Sequence, residues 1–152
     1  MNKVYSFIEW DARLILGIPL IDKQHEKLVQ LTNNLHLACL QSTETASAGF
    51  MAAVREAVNY VQQHFTTEEK MMLLFDFPEF TAHKGKHEGF VIEFLTQTQK
   101  FINRRHLAPN RFVYFLKDWI LSHIAVNDKV FAEFVLQTRQ HEKLEQLFPK
   151  SA

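Results

Sequence analysis

Glycine and proline are scarce, at 4 each in 152 residues, and cysteine occurs once, as Cys39. So few breakers argue against a fold of many turns and favour long helices. A lone cysteine excludes an intrachain disulfide and suits a reducing compartment, so a cytoplasmic location is expected. Neither sign of charge is in excess. Lys plus Arg is 17, Asp plus Glu is 17, and the formal net charge is zero. That leaves no basic footprint for nucleic acid or an anionic membrane surface. The longest apolar run, Leu14 to Ile21, is broken by Gly17 and Pro19 and is far too short to span a bilayer. No basic start leading into an apolar stretch marks a signal peptide. There is no Gly-rich phosphate loop, internal repeat or low-complexity tract.

What is present is apolar and periodic. A hydrophobic content of 47%, with 14 Phe, suits a single globular domain with a sizeable core. Residues 1–20 read as an ordered arm over one end of a bundle, because Phe7, Ile8, Trp10, Leu14, Leu16, Ile18 and Leu20 are too apolar to leave in water. The first helix is predicted from about Ile21 to Cys39, with an inner stripe of Ile21, His25, Leu28, Thr32, Leu35 and Cys39. Cys39 on that stripe is read as a small buried hydrophobe with no redox role. Gln41 to Ser47 reads as a loop. The second helix, to about Leu74, carries Phe50, Val54, Ala57, Val61, His64, Glu68 and Met71 inward, with Glu69 solvated beside them.

Asp76, three residues before Glu79, resembles a capping box ahead of a third helix that runs to about Arg105. Its stripe is His83, His87, Phe90, Phe94, Thr98, Phe101 and Ile102, and Gly85 sits between the two histidines with no packing reason in the sequence. The fourth helix starts near Pro109 and turns Val113, Leu116, Ile120, His123 and Ile124 inward. A fifth, from about Val130 to Phe148, is partly amphipathic. His36, His106 and His141 fall off the stripes and read as surface residues.

His64 with Glu68, and His83 with His87, are pairs at a spacing of four, which stacks both members on one helix face. A single inward histidine is ordinarily a hydrogen-bonded core residue. Here His25, His64, Glu68, His83, His87 and His123 point into one core, with Asp128 nearby, and the core offers mainly the hydroxyls of Thr32 and Thr98 as partners. A buried, unpaired carboxylate costs several kcal/mol in effective terms. A metal site resolves this. Seven ligands exceed the four of one zinc and suit two metals sharing carboxylates. Imidazole with carboxylate, and no thiolate, fits iron. Asp128 is the awkward member. Five steps of about 100° set it roughly 140° round a straight helix from His123. Either the helix tightens or ends near Asn127, or Asp128 reaches inward from a distorted turn.

These residues carry a resemblance that spans nearly the whole chain. Trp10, Gly17-Ile18, Ile21-Asp22-Lys23-Gln24-His25, Tyr60, His64-Phe65-x-x-Glu68-Glu69, Phe77-Pro78, His83-x-x-x-His87 and Trp119-Ile120-x-x-His123-Ile124-x-x-x-Asp128 stand in the order and spacing of the bacterial hemerythrins. Each piece alone is weak; the ordered set is specific, and the family shares the five-residue step to an aspartate.

The resemblance implies one all-α, up-down four-helix bundle over residues 1–152. Residues 1–20 would form the N-terminal arm, 21–128 the bundle core and 129–152 a C-terminal helical extension. It implies a non-haem di-iron centre, oxo- or hydroxo-bridged, that binds O2 reversibly and is not an enzyme. His83, His87 and His123 would hold one iron. His25 and His64 would hold the other, which keeps an open position, and Glu68 and Asp128 would bridge the pair. Trp119, Ile120 and Ile124 would line the O2 pocket. Other roles on the same metals are an O2 or redox sensor acting through a separate partner, and a peroxidase or iron-handling protein. The C-terminal extension is the expected surface for a protein partner or self-association.

Overall fold

The computed structural model describes residues 6–40, 44–103, 109–138 and Lys143. Four long helical rods pass up and down in sequence: α1 (Pro19–Cys39), α2 (Glu44–Leu74), α3 (Phe80–Asn103) and a fourth that begins as α4 (Pro109–Ser122). This is the up-down four-helix bundle, in which short connections force neighbours to run antiparallel. No strand occurs among the described residues, and no helix among them is long and apolar enough to cross a membrane.

The arm does pack on the bundle. Ile8, Leu14 and Ile18 are buried. The Ile8 backbone exchanges two hydrogen bonds with the Asn33 amide, at 2.8 and 3.0 Å. At its end Gly17 takes a φ of +90°, which only glycine adopts freely. Pro19 opens α1, where a missing N–H costs nothing. Asp22 then accepts from the backbone N–H groups of Leu16 and Gly17, at 2.7 and 3.0 Å, and ties arm to helix.

Three local expectations need correction. The stretch from Gln41 to Ser47 is not all loop, since α2 is already helical at Glu44, while 41–43 lie outside the described residues. Asp76 does not cap α3. It adopts a left-handed φ of +53° just past α2. Phe77 N–H donates to the Met72 carbonyl and Asp76 N–H to that of Leu73. That pair of bonds is a Schellman ending, and buried Phe77 and Met72 supply its apolar contact. Cys39 is half-buried rather than buried, and desolvation pushes its thiol up to about 11.

The fourth rod resolves the Asp128 question. It neither tightens nor ends near Asn127. It widens into a π-helical turn, His123–Asp128, and continues without a break as α5 (Lys129–Gln137). Lys129 N–H donates to the carbonyl of Ile124, five residues back. So the separate fifth helix expected from about Val130 is the continuation of the fourth, and its later residues 139–142 and 144–148 lie outside the described ones.

The rods thread the same three layers, α3 reaching the first only through half-buried Phe80. Ile18, Ile21, Met71, Met72, Phe75, Phe77, Phe131, Ala132 and Val135 form one apolar cluster. A larger one is built around Leu28, Leu35, Val54, Val61, Phe90, Phe94, Val113, Leu116 and Ile120. In chain order, the inward histidines and carboxylates of all four rods fall between the two.

Candidate metal centre

His25, His64, Glu68, His83, His87, His123 and Asp128 are all buried, each 4% exposed or less. Glu68, His83, His87, His123 and Asp128 offer ligand atoms within 4.8 Å of one another, and so do His25, His64, Glu68 and Asp128. The two carboxylates belong to both groups. The π turn explains how Asp128 joins them. A turn closed by i→i+5 bonds brings residues five apart onto one face, and Asp128 Oδ1 lies 2.9 Å from His123 Nε2.

The carboxylate oxygens divide the histidines between them. Asp128 Oδ1 faces His83 Nε2 at 3.2 Å as well as His123, while Oδ2 faces His25 Nε2 at 3.1 Å and His64 Nε2 at 4.0 Å. Glu68 Oε2 faces His87, His83 and His64 Nε2 at 3.3, 3.5 and 3.8 Å. His87 and His123 bring their Nε2 atoms to 3.0 Å of each other. Two nitrogens bound to one ion at right angles, with bonds of roughly 2.1 Å, stand about 3 Å apart.

The nitrogen–carboxylate contacts are close but are not hydrogen bonds. Among the described residues, the buried side-chain polar atoms without a hydrogen-bond partner are both ring nitrogens of His25, both oxygens of Glu68, Nε2 of His83 and both oxygens of Asp128. Every one belongs to the converging set. A buried polar atom left unsatisfied costs about 1–3 kcal/mol, and the orphans on Glu68 and Asp128 with Nε2 of His25 and His83 converge as the ligand atoms of a cation would. Thr32 and Thr98, the expected alternative partners, donate back to Leu28 and Phe94 in their own helices. The donor set therefore fits a pair of imidazole- and carboxylate-bound metals.

Without metal the site is electrically strained. Burial pushes His64 down to about 4, against the pull of Glu68. Burial also lowers His123, with Asp128 opposing it. Burial opposes charge on His83, but facing Asp128 and Glu68 raise it to about 9. Burial and the Asp128 charge act to raise Glu68, yet His64, His83 and His87 hold it at about 2. Asp128 lies well below the usual carboxylate range, because His123, His25 and His83 outweigh its burial.

Partners behind the ring fix several imidazoles. Gln24, buried, places Oε1 2.9 Å from His64 Nδ1, and its Nε2 donates to Thr67 Oγ1 at 3.1 Å. Glu69 is not free in solvent as its position on the helix suggests. Its side chain is only 23% exposed, and Oε1 lies 3.0 Å from His87 Nδ1. Asn127 sits 3.3 Å from His123 Nδ1 and accepts from Lys86. Phe65 stacks on His87, centroids 3.8 Å apart, and Trp119 on His123 at 4.3 Å.

Gln24, Glu69 and Asn127 are the neighbours that sequence reasoning did not assign to the site. The available signal was their place beside a member of the cluster: one residue before His25, one after Glu68 and one before Asp128. Of the expected pocket residues, Ile120 and Ile124 are buried in the larger cluster, while half-buried Trp119 lies against the His123 ring. Half-buried His36 stacks on Phe7 at 4.0 Å, outside the cluster. His106 and His141 lie outside the described residues.

The hemerythrin HHE cation binding domain matches residues 16–135. The chain belongs to the hemerythrin family. A bacteriohemerythrin of Stenotrophomonas maltophilia is 28% identical over 130 residues, covering 86% of this chain and 82% of that one. One from Pseudomonas aeruginosa is 29% identical with the same coverage. A hemerythrin-like protein of Naegleria gruberi is 27% identical over 81% of this chain and 89% of its own. The crystal structure of a wild-type hemerythrin shares the fold, with a TM-score of 0.75 and 23% identity over 84% of this chain and 96% of that one. As a member of this family the chain is a di-iron, O2-binding domain, and its His, Glu and Asp cluster suits the metal pair.

Proposed function

We propose that this hemerythrin-family chain is an oxygen carrier or store rather than an enzyme, working in the reducing cytoplasm that its lone Cys39 suits. His83, His87 and His123 would hold one iron and His25 and His64 the other, with Glu68 and Asp128 shared. The observation that carries the reading is the inequality of the two donor groups, five against four with both carboxylates common. The poorer group is the one with a position to spare. Bound there, a pair of irons supplies the electrons and the coordination position that O2 needs.

The chain's own part is to hold and to shield. Ile120 and Ile124, one turn apart on either side of His123, form an apolar wall that keeps water and anions from the open position. Trp119 completes that wall from behind the His123 ring. Five imidazoles with two carboxylates differ from the four Glu and two His of ferritin-like di-iron sites. The smaller anionic charge favours release of O2 over its activation. Residues 1–152 are assigned to one such domain, with the helix beyond Asp128 as the surface open to a partner.

The test is gas exchange on purified, iron-loaded protein. Absorption that appears with O2 and vanishes under argon, over repeated cycles, is expected. Ile120→Glu should still bind two irons but lose that cycle, or oxidise rapidly. Steady consumption of peroxide with a reductant, and no reversible spectrum, would replace the carrier reading with a peroxidase.

A further inference from the structure

One histidine of each group is backed by different chemistry, while His123 of the five-donor group has the Asn127 amide at 3.3 Å from its Nδ1. Behind His87, in the five-donor group, stands a carboxylate: Glu69 Oε1 at 3.0 Å from Nδ1. Behind His64, in the four-donor group, stands a neutral amide: Gln24 Oε1 at 2.9 Å from Nδ1. Both acceptors call for a proton on Nδ1, which leaves the Nε2 lone pair facing the shared carboxylates. Both therefore select the metal-binding tautomer. They differ in charge. A carboxylate makes the imidazole it accepts from a stronger donor to a metal, and loss of such a partner typically costs 10–100-fold in metal affinity.

Neither acceptor is free to drift. Gln24 is fixed by its own donation to Thr67 Oγ1, and that hydroxyl donates in turn to the Gln63 carbonyl at 2.9 Å. Its amide oxygen is thereby aimed at His64. Glu69 follows Glu68 on α2 and reaches across to α3, so one helical turn supplies a shared carboxylate inward and a backing carboxylate sideways. The His87 ring is held between that carboxylate and the face of Phe65, which is nearly parallel to it at 7°.

We propose that Glu69 is a positioning residue that makes the His83, His87 and His123 position the tighter of the two, so that it fills first, and that Gln24 plays the weaker, neutral counterpart at the His25 and His64 position. This rests on the reading that the two donor groups hold the two metals.

Titrating metal-free protein with Co2+, followed by absorption and by competition with a chelator, tests it. The wild type should take up two equivalents in two distinguishable steps. Glu69→Gln keeps an acceptor oxygen and the shape but removes the charge. It should weaken the first step about 10-fold or more, leave the second within about 2-fold, and melt like the wild type when metal-free. Gln24→Glu should tighten the second step and bring the two closer together. A Glu69→Gln protein with both steps unchanged would overturn the inference while leaving the two-metal reading intact. Uptake of fewer than two equivalents by the wild type would overturn both.

Discussion

The two apolar clusters and the polar layer between them are made from the same four rods, yet they obey different rules. In the clusters each side chain is satisfied by contact. Leu35, Met72 and Val113 are fully buried, and the apolar spacing along each helix explains why. In the polar layer the side chains are just as buried and are not satisfied, with orphaned atoms on His25, Glu68, His83 and Asp128. A folded chain tolerates such a layer only when something absent from the sequence completes it. The clusters hold the bundle together, and the layer is expected to tie its stability to the metals.

Stripping the metals should have the largest effect. An ion held at a free concentration a thousandfold above its dissociation constant adds about 4 kcal/mol per site. Chelation should lower the melting temperature by many degrees, and identical melting curves with and without iron would erase the distinction between layer and clusters. Next in size is a cavity in a cluster. Leu35→Ala should cost about 2–5 kcal/mol by denaturant titration, with iron content per folded chain unchanged.

A change of pH should act on the layer rather than on the clusters. An unfolded chain protonates a histidine near pH 6.5, whereas folded His64 stays neutral down to about 4. The unfolded state binds the extra proton in that window, so metal-free protein loses stability as pH falls through it. For this group the loss is about 1.4 kcal/mol per pH unit at its steepest. His83 has the opposite sense. Raised to about 9, it stabilises fully below pH 6.5 and progressively less as pH climbs through 9. Metal-free protein should therefore melt highest near pH 6.5, and a melting temperature level from pH 4 to 9 would contradict this.

Smaller again is His25→Leu. It removes two orphaned nitrogens but also one of the groups that hold Asp128 charged, so the two effects oppose each other and the melting of metal-free protein should change by no more than about 1 kcal/mol while iron uptake falls. Loss of iron with so little loss of metal-free stability is not available to any residue of the clusters. The smallest effect belongs to Gly85, which lies exposed on α3 with nothing described within 4 Å of where a Cβ would sit. Gly85→Ala should stabilise by roughly 0.5–1 kcal/mol in thermal melts and leave the metals alone, even though it stands between two of the histidines.

The inner faces were legible because a regular helix repeats faithfully. Spacings of four put His64 over Glu68 and His83 over His87, and the apolar stripe carried His25 inward. Asp128 was out of reach of that rule, because a π turn changes the rotation per residue and no composition signal marks where one forms. Glu69 was misjudged for a related reason. Rotation about α2 turns it away from the bundle axis, but α3 approaches on that side, and a helical wheel contains no neighbouring helix. Asp76 looked like a cap for the helix after it and instead ends the helix before it. Aspartate serves either role, and only the backbone angle separates them.

Anomalous diffraction at the iron edge, from crystals of iron-loaded protein, tests the central claim most directly. Two peaks per chain are predicted, both in contact with Glu68 and Asp128, one also with His83, His87 and His123 and the other with His25 and His64. A single peak, or a second one away from those carboxylates, would contradict it.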